Sequence, residues 1–359
     1  MTINEMKELA LHAAKGTAPT NYSVDQVDAA LLDGFRDMAG SLNAFMKNRY
    51  DIYEIISETA DEIVPAKVID AFGMFAEVRQ VAQNEKVTFK RKIGRNRAKK
   101  FLTQVGLSGV YETFRLDSET FEIGVHAIGG AGTVDFERVL DGAESMVEVM
   151  QIVTEGLVDS LYIEVQRALI AVAELTDETM PAANKVTGPF DGDEMFALVN
   201  TVKAYGDDAV IFAAPEFVAA MGPDAIVPVP TNGNYGGVYH PQDIDAIHNQ
   251  GYINIFRGTP IVQFKQSYFD ESNTEVVINP QFAYVLPTGK EKIVKIVMEG
   301  NTQVYDFTNR DQSMEIHTYK KVGVGILTYN NWGIYKNTDI HVNDNDANAI
   351  KWNDNFYGI

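Results

Sequence analysis

From Ser23 the apolar residues Val24, Val27, Leu31, Phe35, Met38, Leu42 and Phe45 follow one another at steps of three and four, the spacing of one narrow helical stripe. A second stripe, Tyr53, Ile56, Ala60 and Ile63, is expected to end at Pro65, where a helix loses a backbone donor. Little neighbouring sequence is available to close a core around these stripes. They are therefore expected to lie on another surface as an extended arm. Residues 1–20 are polar and mixed; a short helix at 3–14 is one reading, and the segment is expected to be poorly ordered or held only by its neighbours.

After Phe72-Gly73 the period changes to two. Val78 and Val81, then Val87, Phe89 and Ile93, read as outgoing strands, and Phe114, Leu116, Phe121, Ile123 and Val125 as the return. The intervening residues 94–113 hold three glycines and little to bury, which describes a projecting hairpin whose tip cannot cover its own faces. Thr133 and Asp135 open the longest helical signal. Met146, Met150, Val153, Leu157, Leu161, Val165, Leu169, Val172 and Leu175 predict a helix over 135–176, about 60 Å long, with Gly142 and Gly156 as candidate breaks.

Short mixed elements follow: a helix at 193–204, a buried strand from Ala209, a Pro-started helix at 215–221, a loop over 222–240, a helix at 241–249 and strands at 252–256 and 260–267. Strands rich in Val and Ile are predicted at 292–298, 302–307 and 314–328, and the Asn/Asp-dense tail after Asn337 is expected to be loosely ordered. The class is α+β, with no repeat of fixed period.

Charge changes the picture more than composition does. The 359 residues carry 30 basic and 50 acidic side chains, a formal charge of −20, which argues against a general binder of nucleic acid or anionic membrane. Yet Lys86, Lys90, Arg91, Lys92, Arg95, Arg97, Lys99 and Lys100 fall within fifteen positions that hold no acidic residue. Such a basic finger on an acidic body can dock on copies of itself, be a solvated loop, or touch nucleic acid. Charge alone leaves all three open. With no Cys there is no disulfide framework, thiolate nucleophile or Cys-based metal site. The start lacks a basic segment followed by an apolar one, and no stretch approaches 18 apolar residues, so the chain is expected to be soluble and to stay where it is made.

Candidate chemistry is thin. Ile128-Gly-Gly-Ala-Gly-Thr133 superficially resembles a phosphate-cradling loop but lacks Gly-x-Gly-x-x-Gly and the Gly-Lys-Ser/Thr ending; a flexible hinge at the hairpin base is the expectation. His240, Asp243, Asp245 and His248 form the best metal-like group, but Pro241 interrupts it and a solvated helix explains it better. Asp207-Asp208 are adjacent rather than facing, and His126 and His317 lie in strand patterns. No residue set positions a nucleophile beside its base, so no enzyme, cofactor or metal is expected.

The order of parts resembles the major capsid protein of tailed bacteriophages. The likeness is carried by arrangement, and by Phe72-Gly-Met-Phe-Ala-Glu-Val before the hairpin, Phe136-Glu-Arg-Val-Leu-Asp-Gly142 leading into the long helix, and the strand Ser313 to Leu327. The resemblance implies an N-arm at 1–50, a peripheral domain at 51–82, 128–188 and 286–326 with the long spine helix, an E-loop at 83–127, and an axial domain at 189–285 and 327–359 with the C-terminal tail. It implies a structural protein that builds pentamers and hexamers into an icosahedral head around double-stranded DNA. Contacts between subunits would run through Lys90, Arg91, Lys92, Arg95, Arg97, Lys99 and Lys100 of the E-loop and Leu31, Phe35, Met38, Leu42 and Phe45 of the N-arm. Implied partners are further copies of the chain, a separate scaffolding protein, a portal protein and a decoration protein, with packaged DNA in weak non-specific contact only and no membrane. The location would be the virion capsid, assembled in the bacterial host cytoplasm. Two alternatives stand beside this reading: an encapsulin-type shell around cargo enzymes, which resembles the same fold, and an intracellular α+β enzyme without a recognisable motif.

Overall fold

The computed structural model describes residues 2–15, 17–19, 23–93, 117–134, 146–174, 180–204, 208–222, 229–231, 234–238, 254–264, 266–268, 270–289, 292–308, 314–327, 331–346 and 349–352. In chain order the elements are α1 (Ile3–Lys15), α2 (Val24–Ala39), α3 (Leu42–Phe72), β1 (Ala76–Val81), β2 (Thr88–Ile93), β3 (Asp117–Glu122), β4 (His126–Val134), α4 (Met146–Glu174), β5 (Lys185–Gly188), α5 (Gly192–Lys203), β6 (Ala209–Ala213), α6 (Pro215–Met221), β7 (Val229–Thr231), β8 (Asn234–Val238), β9 (Ile255–Phe256), β10 (Thr259–Gln263), β11 (Glu275–Val276), β12 (Phe282–Pro287), β13 (Val294–Thr308), β14 (Met314–Ile326), β15 (Gly333–Asn337) and β16 (Lys351–Trp352). The chain divides into two compact units, one of Met1–Thr88, Glu122–Glu164 and Lys295–Gly325, the other of Phe89–Phe121, Val165–Val294 and Ile326–Ile359.

In the first unit the stripe from Val24 is broken into two helices by Gly40-Ser41. Ser23 starts α2 with a capping box, its Oγ accepting from the Gln26 amide while Gln26 Oε1 accepts from the Ser23 amide, and Ser41 Oγ accepts from the Ala44 amide to start α3. Helix α3 then runs through Pro65 for 31 residues. Pro65 removes one intrahelical donor, but Ile63, Val64, Val68 and Phe72 around it are all buried, so tertiary packing holds the helix past the break expected at that residue.

The expected extended arm is corrected by the structure. Met6, Leu9, Ala10 and Ala13 of α1, Val27, Leu31 and Phe35 of α2, and Phe45, Ile52, Tyr53, Ile55 and Ile56 of α3 form one buried cluster, with Met38 and Val304 packed against it. The polar start supplies the missing third helix: four small or flexible apolar residues, one turn apart, suffice to close the trio. Lys7 Nζ lies 2.8 Å from both Glu54 and Glu58, and Lys15 Nζ lies 3.0 Å from Glu62, so ion pairs rim the α1–α3 contact.

A four-stranded sheet in the order β1-β13-β14-β4 completes this unit. Strands β14 and β4 are antiparallel, from Met314 opposite Val134 to Val322 opposite His126. The glycine run Ile128 to Thr133 is thus a sheet strand, neither a phosphate loop nor a hinge. Its backbone is engaged by β14, and the helix expected from 135 is described only from Met146, with Gly156 inside it and no break there. The strands expected at 292–298 and 302–307 are one continuous β13, in which Gly300 absorbs a positive φ of 66°.

The second unit is built on a mixed six-stranded sheet, β5-β15-β12-β6-β10-β9. Strand β6, Ala209-Val-Ile-Phe-Ala, is buried throughout, as its apolar run requires of a central strand. It pairs parallel with β10 and antiparallel with β12. Helices α5 and α6 contribute Met195, Leu198, Val199, Val202, Phe217, Val218 and Met221 to the core beside Tyr335 and Phe256. Asp191 caps α5 by accepting from the Asp193 and Glu194 amides. Because β5 pairs parallel with β15, residues 185–188 belong to this sheet, although the sequence reading assigns them to the peripheral part.

Two further expectations change. A hairpin, β7 with β8, occupies part of the loop expected over 222–240. The described part of the tail after Asn337 is tied down: β16 pairs parallel with β11, Asn343 exchanges two hydrogen bonds with the Trp352 backbone, and Trp352 Nε1 donates to the Val277 carbonyl; residues 353–359 lie outside the described residues. Its Asn and Asp side chains act as turn formers here. No described helix is long and apolar enough to cross a membrane.

Candidate functional site

The basic finger has a defined stem. Strands β2 and β3 pair as a separate two-stranded sheet, and Phe89, buried, stacks on Phe121 with ring centroids 5.8 Å apart. Beneath the stem Lys86, largely exposed, pairs with Glu122 at 3.2 Å. Lys90 is exposed, and Arg91 and Lys92 lie on β2. Arg95, Arg97, Lys99 and Lys100 fall outside the described residues.

The second predicted set meets a different environment. Leu31, Phe35 and Phe45 are buried in the chain's own three-helix core, Met38 packs on it, and Leu42 is the first residue of α3. Leu31, Phe35, Met38 and Phe45, offered as inter-subunit contacts of a free arm, pack in a cluster of the chain's own that α1 shares. Among the described apolar groups that α3 exposes are Met46 and Tyr50, one turn apart, and Ile69 near its end, with 48%, 69% and 52% of their surface exposed.

Three charged staples fix the sheet of the first unit. Asp61 Oδ1 accepts from the Thr302 amide at 2.7 Å, from Thr302 Oγ1 at 2.6 Å and from the buried Lys320 Nζ at 2.6 Å, while Ser57 Oγ donates to the Thr302 carbonyl. Buried Lys295 pairs with Glu77, which also receives Arg79. Burial pushes the Glu77 carboxyl up, but the Lys295 and Arg79 contacts outweigh it and leave the group below the usual carboxylate range. Glu299 is likewise lowered, by the Asn84 amide first and then by Lys321. Such staples tie α3, β1, β13 and β14 together.

In the second unit the β9–β10 turn carries a feature that periodicity does not show. Arg257 and Gly258 have φ of 44° and 83°, the left-handed pair of a two-residue hairpin turn, where Asn-Gly is the favoured sequence. The Arg257 guanidinium lies 5.5 Å from the Phe256 ring centroid and 5.6 Å from that of Phe196, and its Nη1 donates to Asp193 at 2.6 Å. Phe196 is 38% exposed. The sequence signal was available: Arg257-Gly258 falls in the gap between two predicted strands.

Reactive arrangements are scarce. A pocket of about 420 Å³ in this unit is lined by groups that include Arg167, Phe282, Lys336 and Trp352, with no carboxylate or histidine among its described lining. His240, Asp243, Asp245 and His248 lie outside the described residues, and among the described residues no group of three His, Asp or Glu is spaced to hold a metal. His126 faces Glu164 at 3.6 Å, and His317 stands in β14. His341 pairs with Asp344 at 2.5 Å, which raises the imidazole above its usual value near 6.5.

Comparison with known proteins agrees with this architecture. Solved structures of the same fold include the mature capsid of bacteriophage PhiM1 (TM-score 0.50, 10% identity, 75% of this chain and 87% of that one). The chain is also similar, at lower scores, to the capsid of cyanophage P-SCSP1u (TM-score 0.49, 10% identity, 74% of this chain and 88% of that one) and to the holo-SrpI encapsulin complex of Synechococcus elongatus PCC 7942 (0.42, 13%, 72% and 84%). No curated protein matches the chain. The family described as "SPbeta prophage-derived putative capsid protein YonB" matches residues 5–336. That span takes in the helical trio, the stem of the basic finger, both sheets and α4, so the chain belongs to the YonB family and is a structural capsid protein with the fold of tailed-phage major capsid proteins.

Proposed function

We propose that the chain is the repeating subunit of a closed icosahedral phage head, arranged as pentamers and hexamers around double-stranded DNA. The observation that carries this reading is the family match over residues 5–336 on a chain with two separately cored units. A closed shell needs heterologous contacts that repeat until the surface closes. The basic finger, Lys90 to Lys100, is the segment whose charge suits the acidic body of a second copy. The same net charge of −20 keeps packaged DNA from adhering to the wall, leaving weak non-specific contact only. A separate scaffolding protein, a portal and a decoration protein are the partners of this reading, and the host cytoplasm is where assembly takes place. No catalytic role enters it.

The test is electron microscopy of the full chain expressed in bacteria, alone and with a scaffolding protein. Icosahedral particles are the expected result; a protein that stays monomeric under both conditions overturns the proposal. Particle contents separate a DNA-filled head from a shell around cargo enzymes. Boiled in detergent, mature particles should run as one band at the 39.8 kDa subunit mass, since the contacts are non-covalent. A ladder of oligomers would show covalent joining.

A further inference from the structure

The cleft of about 420 Å³ in the second unit is built by elements that lie far apart in sequence. Phe282 of β12 and Lys336 of β15 are direct cross-strand partners, so both side chains leave the same face of the sheet. The Lys336 ammonium lies 5.6 Å from the Phe282 ring centroid and meets no carboxylate among the described residues. Arg167, from the C-terminal part of α4, brings a second cation to the lining. Asn279 also lines the cleft and is only 3% exposed. Its Oδ1 accepts from the Gln281 amide at 3.0 Å, while no described group takes up its Nδ2. Trp352 forms a fixed wall: Asn343 bonds its backbone N–H and carbonyl, and its Nε1 donates to the Val277 carbonyl at 3.3 Å.

We propose that this cleft is a binding site for a small molecule that joins an oxyanion, phosphate or carboxylate, to a flat ring. Donors without acceptors in the chain converge here with two positive charges, and the described lining holds no carboxylate or histidine to oppose an anion. Lys336 and Arg167 would hold the oxyanion, and Asn279 Nδ2 would donate to it as well. The volume lies within the range of small-molecule sites, about 300–1,000 Å³, which leaves room for a ring against the indole of Trp352. All these residues belong to one unit of one chain, so the inference goes beyond the capsid reading and does not depend on it.

The test titrates the purified full chain with phenyl phosphate and with phenylacetate, which carry the two oxyanions, and with benzyl alcohol as the neutral control. Trp352 is the reporter, because the chain has two Trp and the other, Trp332, is fully buried. At least one of the two acids should change the fluorescence saturably, with half-saturation below about 1 mM, and the alcohol should bind at least about tenfold more weakly. The acid that binds tighter identifies the oxyanion. Lys336→Gln should weaken binding at least about tenfold and Lys336→Arg should retain it, with both variants melting within about 3 °C of wild type. Asn279→Asp keeps the acceptor for the Gln281 amide and places a negative charge in the cleft. It should abolish binding, and it decides the matter if Lys336→Gln fails to fold. No saturable change with either acid, equal binding of the alcohol, or unchanged affinity in either folded variant would overturn the site and leave the capsid reading intact.

Discussion

The Oδ1 atom of Asp61 receives three donors, two from Thr302 and one from Lys320, and Lys320 is only 2% exposed. Removing the carboxylate leaves a buried ammonium without its counter-charge, whereas replacing both partners by apolar groups removes the desolvation problem as well. Asp61→Ala should therefore cost about 3 kcal/mol, read as a fall in the urea midpoint, and Asp61→Ala with Lys320→Met should recover most of it. Recovery failing in the double variant would mean that the staple acts through geometry and not through charge. Gly323 offers a second test at this scale. A Cβ there would stand 2.5 Å from the Gly124 carbonyl oxygen, a backbone atom with no side-chain freedom, whereas one at Gly130 would meet nothing within 4 Å. Gly323→Ala should cost about 1–3 kcal/mol, and Gly130→Ala, matched in size, should cost far less by the same melt.

Elements differ in how far periodicity reveals them. Helix α6 lies where Pro215 and its apolar spacing indicate, and β6 is the central strand that its unbroken apolar run requires. The three-helix core was hidden because α1 contributes only Met6, Leu9, Ala10 and Ala13, too small a stripe to register as a partner for α2 and α3. Pro65 misleads for the opposite reason: local propensity favours a stop, and burial on both sides overrides it. The Arg257 turn is legible as a gap between two predicted strands, but its contacts are not, because they depend on a backbone conformation and on two residues about sixty positions apart meeting across elements.

The C-terminal segment, also misread, makes a pH prediction. His341 is raised, first by its hydrogen bond to Asp344 and also by Asp346 and Asp339, so its contribution is complete below about 6.5 and is lost as pH rises through the folded value. Asp344 is lowered, first by the Asp346 amide and then by His341, so its contribution is present above 3.8 and is lost as pH falls through its folded value. Amide protection of the described residues 341–346 and 349–352, corrected for intrinsic exchange, should peak between these limits and decline as the pH rises past the raised value of His341. His341→Asn should abolish the alkaline decline; a decline that persists in that variant assigns it to another group.

For the molecule as a whole, charge is distributed so that assembly and solubility oppose each other. Outside residues 86–100 the chain holds 22 basic and 50 acidic residues, a balance of −28, so any two copies repel unless a cationic segment lies between them. If the finger supplies that segment, each exposed pair contributes only about 0.2–1 kcal/mol. The contact recurs at every subunit of a shell, however, so small increments decide whether the lattice closes. Replacing Arg95, Arg97, Lys99 and Lys100 by Glu reverses the charge at residues that lie between β2 and β3 in sequence, and the β2–β3 stem keeps its own Phe89–Phe121 stack. The variant should thus melt as wild type does. Its particle yield should fall, and wild-type assembly should weaken as added salt shortens the screening length from about 10 Å at 0.1 M toward about 3 Å at 1 M. Salt should have little further effect on the variant, since the attraction it screens is already gone. Normal particles from the quadruple variant, with unchanged salt sensitivity, would make the finger a solvated loop.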